Sequence, residues 1–171
     1  MNNLKNGLYI VSTPIGNLED ISFRTKKVLQ KANIIICENP IHSLKLLNKL
    51  GIKKKLLFLH DYNEEALIKK IKKHQKDSLI ALISDAGSPL ISDPGFKLVK
   101  NFINEDIFVT SIPGPSSVIS SLQLSGLDTN SFVFFGFVPK NNNSAKKIAK
   151  KIPELNFTSI FFIYLISYCI S

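Results

Sequence analysis

Cysteine, histidine and arginine are all scarce in this sequence, and each scarcity closes off a class of protein. Two cysteines, Cys37 and Cys169, cannot build a disulfide framework, and the three histidines offer no zinc-binding spacing. A reducing, cytoplasmic setting is therefore expected. No Gly-x-Gly occurs anywhere, so the dinucleotide fingerprint is missing, and so is the Walker A loop. There is no Gly-x-Ser-x-Gly elbow and no His-Glu-x-x-His. The opening residues, Met1 to Gly7, hold no apolar stretch of the signal-peptide kind. No apolar run approaches the roughly 20 residues a membrane-spanning helix needs, so no membrane partner is expected.

What is present fits a packed globular protein. The chain has 171 residues, 44% of them hydrophobic and 20% charged, with a mean hydropathy of +0.12. That length holds one ordinary domain and part of another. The net charge is +9, yet of 22 basic residues only Arg24 is arginine. Nucleic-acid readers commonly exploit arginine's planar fork, so the charge has two readings: an RNA partner, or lysine-rich codon usage together with solubility.

Short apolar runs alternate with longer amphipathic stretches. Leu8–Ser12, Ile34–Cys37, Leu56–Leu59, Leu79–Ser84, Ile107–Ile112 and Phe132–Phe137 read as strands, mostly of the kind buried on both faces of a parallel sheet. Ile21–Lys31, Ser43–Leu50, Glu64–Lys73, Phe96–Asn104 and Ser116–Leu124 read as helices, with Ser43 as an N-cap and Gly51 as a C′ residue. The alternation predicts an α/β fold: a five-stranded, mostly parallel sheet with flanking helices over residues 1–125. The start of a second α/β domain is expected over 131–171. Pro139–Ser144 reads as a surface loop, and Lys146, Lys147, Lys150 and Lys151 as a basic helix or arm.

Pro14, Pro40, Pro89, Pro113 and Pro139 each follow a predicted strand. Open α/β sheets bind ligands at the carboxyl ends of their strands, so rigid loops on that edge point to a shaped pocket. The plainer reading, that prolines merely end strands, accounts for any single one. Four loops stand out: Ser12–Asp20, Cys37–His42, Ser84–Gly95 and Ile112–Ser117. The third is long for its class and carries two each of Asp, Gly, Pro and Ser.

Taken in order, Ser12-Thr-Pro-Ile-Gly-Asn-Leu-Glu-Asp20, Leu59-His-Asp-Tyr-Asn-Glu64, the Ser84–Gly95 loop, Ile112–Ser117 and Gly136-Phe-Val-Pro139 resemble the tetrapyrrole-methylase-like superfamily. Within it they are most similar to the bacterial branch that 2′-O-methylates a cytidine of 16S rRNA. The resemblance runs from about Leu8 to Phe162. It implies two α/β domains, S-adenosylmethionine (SAM) bound in the cleft between them, a homodimer, and the small ribosomal subunit as partner. Thr13, Pro14 and Gly16 match the family's first loop. Asp85, Ala86, Gly87, Ser88, Pro89, Leu90 and Ile91 match the loop that wraps the methyl donor. Pro113, Gly114, Pro115, Ser116 and Ser117 match the loop that opens the next helix. For each of these, ordinary turn chemistry is the competing reading.

Two departures qualify the resemblance. The family's Glu-Asp-Thr-Arg is here Glu38-Asn-Pro-Ile41, which removes an acid and an arginine able to contact RNA phosphate. After Thr158–Phe162 the family continues with Glu-Ser-x-x-Arg, whereas this sequence reads Ile163-Tyr-Leu-Ile-Ser-Tyr-Cys-Ile-Ser171. A truncated or frame-shifted second domain is the expectation, and with it weak or absent methylation. Glu38, His60, Asp61 and Asp85 are candidates for a base, and His60 equally for a helix cap; none is singled out. Two alternatives stay open: a methylase of a small tetrapyrrole precursor, and a catalytically dead fragment that acts at most as an RNA-binding module.

Overall fold

The computed structural model describes residues 4–164. Cys169 and most of the Ile163–Ser171 segment lie outside the described residues.

The apolar runs become five parallel strands: β1 (Gly7–Val11), β2 (Ile34–Cys37), β3 (Lys55–Phe58), β4 (Leu79–Ile83) and β5 (Val109–Ile112). They form one sheet in the order β3-β2-β4-β1-β5. Every residue of β2 and of β4 is buried, because helices cover both faces of the sheet there. The crossover helices are α1 (Phe23–Lys31), α2 (Pro40–Lys49), α3 (Glu64–Ile71) and α4 (Phe96–Asn104).

Period-two alternation along the strands makes two separate cores. Val28 and Leu29 of α1 and Leu47 of α2 pack with Tyr9, Ile35, Ala81 and Ile83. Leu67 and Ile71 of α3 and Leu98 and Phe102 of α4 pack with Leu8, Ile36, Ile80 and Leu82 on the other face. The connections leaving β1 and β2 therefore run over one face, and the one leaving β4 runs over the opposite face. β4 lies between β2 and β1, so the face over which the connection leaves switches on either side of it.

Several element ends differ from the sequence reading by one or two residues, and two helix starts differ for a reason that their caps show. Ser43 does not cap α2: Asn39 does, its Oδ1 accepting from the backbone N–H of Ile41 at 3.0 Å and of His42 at 3.2 Å. Pro40 fills the first helical position, where its missing N–H removes no bond, and Ser43 is buried one turn further on. Likewise the loop expected to reach Ser144 is shorter. Asn141 accepts from the N–H groups of Asn143 and Ser144 and starts α6 (Asn142–Lys151), which carries the four lysines. Gly51 does follow α2, donating to the Asn48 carbonyl at 3.0 Å.

The chain divides into two compact units after Ser116. The division falls ahead of the 126–131 segment because Val118 and Leu122 of α5 (Ser117–Leu124) bury against Ile160. Ile160 lies in β7 (Thr158–Phe162), a strand not read from the sequence, which pairs in parallel with β6 (Phe132–Phe137). This second unit is aromatic-rich, with Phe135 stacked on Phe161 at 4.8 Å between ring centroids. Among the described residues no helix is long and apolar enough to cross a membrane.

Phe102 is fully buried beneath the sheet and is the largest such side chain. Phe102→Ala should destabilise the first unit by about 3–5 kcal/mol, read from urea denaturation. A loss below about 1 kcal/mol would contradict this placement.

Candidate functional site

Where neighbouring strands send their connections to opposite faces, the loops part and leave a crevice at the carboxyl edge. β4 is flanked by such a reversal on both sides, and the loop that follows it, 84–95, is the one the sequence marks as unusual. Its backbone is joined to the loop after β1. Thr13 N–H donates to the Gly87 carbonyl at 2.9 Å, and Gly87 N–H returns to the Thr13 carbonyl at 3.1 Å.

Hydroxyls extend this seam. Thr13 Oγ1 donates to the Ser84 carbonyl at 3.3 Å, and Ser84 Oγ to the Gly87 carbonyl at 3.4 Å. Ser88 Oγ lies 3.1 Å from Ser12 Oγ and donates to the Pro115 carbonyl at 3.3 Å, which brings in the loop after β5. Glycine is required at two of these points. Gly87 has φ +83°, a conformation other residues adopt at a cost, and a Cβ on Gly114 would come within 2.9 Å of the Ser12 Cβ. Leu90 and Ser92 hold φ of 74° and 68° without being glycine. Such strain persists only where the surroundings enforce it, and it concentrates at functional loops.

The residues singled out in the sequence are thus brought together unevenly. Thr13, Gly87, Ser88, Gly114 and Pro115 meet at the seam, and Pro113 and Ser116 flank its last strand of loop. Pro14, Gly16, Asp85 and Ala86 line an open groove of about 440 Å³ together with Ile15, Leu18 and the α2 residues His42, Lys45, Leu46 and Lys49. Pro89 is buried, Leu90 half-buried and Ile91 exposed further along the β4 loop. Ser117 opens α5 in the second unit, where its carbonyl accepts from Ser121 Oγ at 2.7 Å.

Sequence reasoning passed over three contributors. Ser12 and Ser84 supply hydroxyls, and the α2 wall of the groove follows from the 42/45/46/49 spacing. Glu64 is the third. Buried in α3, it accepts from Gly95 N–H at 3.1 Å and Leu98 N–H at 3.0 Å, capping α4 and fixing the far end of the β4 loop. His60 does not cap a helix: its Nδ1 accepts from Tyr62 N–H at 3.2 Å, while Asn63 Oδ1 accepts from His60 N–H at 2.9 Å. It closes a turn.

Four carboxylates from three loops share this edge. Burial raises the proton affinity of Glu38, and the nearby charges of Asp93, Asp85 and Asp61 add to it. Asp93 is raised by burial as well, partly opposed by the Ser84 hydroxyl, with Asp85 adding a smaller push. Asp85 Oδ1 is buried without a hydrogen-bond partner among the described residues. An edge with excess acceptors and negative charge favours a ligand that brings donors and positive charge.

An acid whose pKa is raised by folding stabilises the fold below its ordinary pKa, and that contribution is lost as pH rises through the raised value. Glu38→Gln/Asp93→Asn should therefore be more stable than the parent at neutral pH. The gap in urea midpoint should close below about pH 4, where both acids are protonated anyway. A gap that widens towards acid would contradict the burial argument.

Comparison with known proteins agrees with the geometry. The sequence profile of the tetrapyrrole (corrin/porphyrin) methylases matches residues 7–163. A Rickettsia prowazekii (strain Madrid E) protein named ribosomal RNA small subunit methyltransferase I is 47% identical over 163 residues, covering 93% of this chain and 57% of its own. A protein of the same name from Thermotoga maritima is 41% identical, covering 91% of this chain and 70% of its own. The chain thus spans little more than half the length of the first of these relatives. Among solved structures, a diphthine synthase superposes with a TM-score of 0.70 at 16% identity, over 92% of this chain and 64% of its own, which speaks for the fold alone. Parallel sheet, reversed crevice and joined loops together with the profile match place this chain in the tetrapyrrole methylase family.

Proposed function

We propose that this chain binds S-adenosylmethionine at the loops that follow β1, β4 and β5, and serves 2′-O-methylation of a cytidine ribose in the 16S rRNA of the small ribosomal subunit. The observation that carries the reading is the Thr13–Gly87 pairing, which fixes two family loops at the point of reversal in the sheet. Curated relatives at 41–47% identity that carry the name ribosomal RNA small subunit methyltransferase I favour rRNA over a small tetrapyrrole as substrate. The net charge of +9 agrees with an anionic partner. The homodimer and the cytoplasmic setting expected from the sequence belong to the same reading.

The residues present suit the donor. SAM supplies, when bound, an electrophilic methyl group on a cationic sulfur. Asp85, with an unpartnered buried oxygen, accepts a hydrogen bond from a donor of such a ligand. Gly87 and Gly114 let the three loops close on one another, since a Cβ at either would crowd Ile15 or Ser12. Asp85, Asp93 and Glu38 make the surroundings negative, which favours a cationic ligand over a neutral product. A ribose hydroxyl is a weak nucleophile, so the main contribution of these loops is to hold reacting groups in line and exclude water.

Calorimetry with SAM tests the loop assignment. Gly87→Trp should abolish binding seen with the parent, with circular dichroism confirming that the variant is folded; equal affinity would refute the assignment. Labelled methyl transfer to small ribosomal subunits, by the chain alone and continued with the remainder of a full-length relative, tests the reaction. The expected product of the continued protein is 2′-O-methylcytidine, with weak or no transfer by the chain alone. Label confined to a tetrapyrrole would overturn the rRNA reading.

A further inference from the structure

The α2 wall of the open groove sets two lysines beside apolar side chains. His42, Lys45, Leu46 and Lys49 follow one another at helical spacing and present a single face to the groove, while Ser43 and Leu47 turn into the core. Neither Lys45 nor Lys49 has an ion-pair partner among the described residues. Among the described residues only Lys72, with Glu105 at 3.4 Å, and Lys97, with Glu65 at 2.8 Å, form ion pairs, so what marks Lys45 and Lys49 is the lining beside them, not the lack of a partner. Lys49 also sits in the last turn of α2, where the helix dipole alone favours a cation. Lys45, in the middle of the helix, has no such explanation.

Opposite the cations, Pro14 and Ile15 of the β1 loop join Leu46 of α2 to give the groove an apolar floor. Its volume of about 440 Å³ falls within the range of roughly 300–1,000 Å³ that small-ligand sites occupy. An apolar floor with two unpaired ammonium groups on one rim suits a ligand with a flat apolar face and an adjacent anion. A nucleotide step of single-stranded RNA has both: the base covers the floor and the phosphodiester meets the lysines. Lysine suits this contact, because a phosphate tracked without sequence reading needs a point charge, not a fork.

Resting on the function proposed above, we propose that this groove seats one nucleotide step of the RNA substrate, with Lys45 and Lys49 holding the phosphate and His42 at the edge. The groove borders Asp85 and Ala86 of the β4 loop, so RNA seated there lies next to the loop assigned to the methyl donor.

Binding of a fluorescein-labelled 12-nucleotide single-stranded RNA, followed by anisotropy across a salt series, tests the proposal. Lys45→Gln/Lys49→Gln is compared with Lys70→Gln/Lys73→Gln, which removes the same charge from exposed positions on and just after α3. The α2 pair should lower the slope of log affinity against log salt by about 1.4, two contacts at roughly 0.7 each, and the α3 pair should leave it unchanged. SAM affinity should be the same in all three proteins. Equal losses in both pairs would reduce the effect to net charge and overturn the proposal. A fall in SAM affinity with the α2 pair would assign the groove to the donor and overturn it too, as would polyglutamate competing as well as the RNA. A parent that transfers methyl groups to rRNA while the α2 pair binds RNA normally would sink this inference alone. A parent that binds no RNA would sink it together with the proposed function.

Discussion

Two backbone hydrogen bonds between Thr13 and Gly87 hold the arrangement of this carboxyl edge, and most of the candidate site depends on them. β1 and β4 are neighbours in the sheet, yet their loops leave towards opposite faces, which by itself would open a wide and shapeless gap. The exchanged N–H and C=O groups close the gap at one point only. On one side of that point lie the Ser12, Ser88 and Pro115 contacts; on the other lies the open groove beside α2. Because the bond is between backbones, its demand on sequence falls on conformation: Gly87 must sit at φ +83°, and Thr13 must be small enough to be buried entirely. The proline-rich wording around both positions lowers the entropy of holding them there.

The same edge carries an electrostatic cost that the fold tolerates. Burial raises the proton affinity of Glu38 and Asp93, and neighbouring carboxylates from the β3 and β4 loops add to it. No lysine is paired with Glu38, Asp85 or Asp93 among the described residues, even though the chain carries a large excess of lysine. Glu64 shows the opposite solution close by, where a buried carboxylate is satisfied by two backbone N–H groups. Acids left with unmet capacity beside one that is fully satisfied are the pattern of a site kept ready for a ligand.

Most of the first unit was legible in the sequence because its signals are local. The Ile34–Cys37 run is β-branched almost throughout and bounded by polar residues, and Phe96 follows Gly95, so β2 and α4 are read to the residue. The proline edge was legible too, since Pro14, Pro40, Pro89 and Pro113 all lie within six residues of a strand end. What failed depended on distance. Ser43 and Asn39 are both good caps, and only the burial of Ser43 in the core selects Asn39. β7 pairs with a strand some twenty residues earlier, a partner that periodicity does not name. The Thr13–Gly87 bond joins positions 74 residues apart through atoms common to nearly every residue. The two loops carried a family signature; the bond between them did not.

The distribution of charge then gives the site a direction. Basic residues are nearly all lysine; among the described residues two are tied to glutamates, most of the others have no ion-pair partner, and two of these, on α2, stand beside apolar lining. Acids gather on the β2, β3 and β4 loops instead. The carboxyl edge of one sheet therefore offers a negative lining and, beside it, a positive rim, sharing Asp85 and Ala86 as their border. The proposed methyl donor is cationic and the proposed acceptor polyanionic, a pair that needs opposite environments within reach of each other. Starting α2 at Pro40, directly after the β2 strand, is what brings its lysines to that border. Capping by Asn39, at the helix start misplaced in the sequence reading, thus fixes where the positive rim begins.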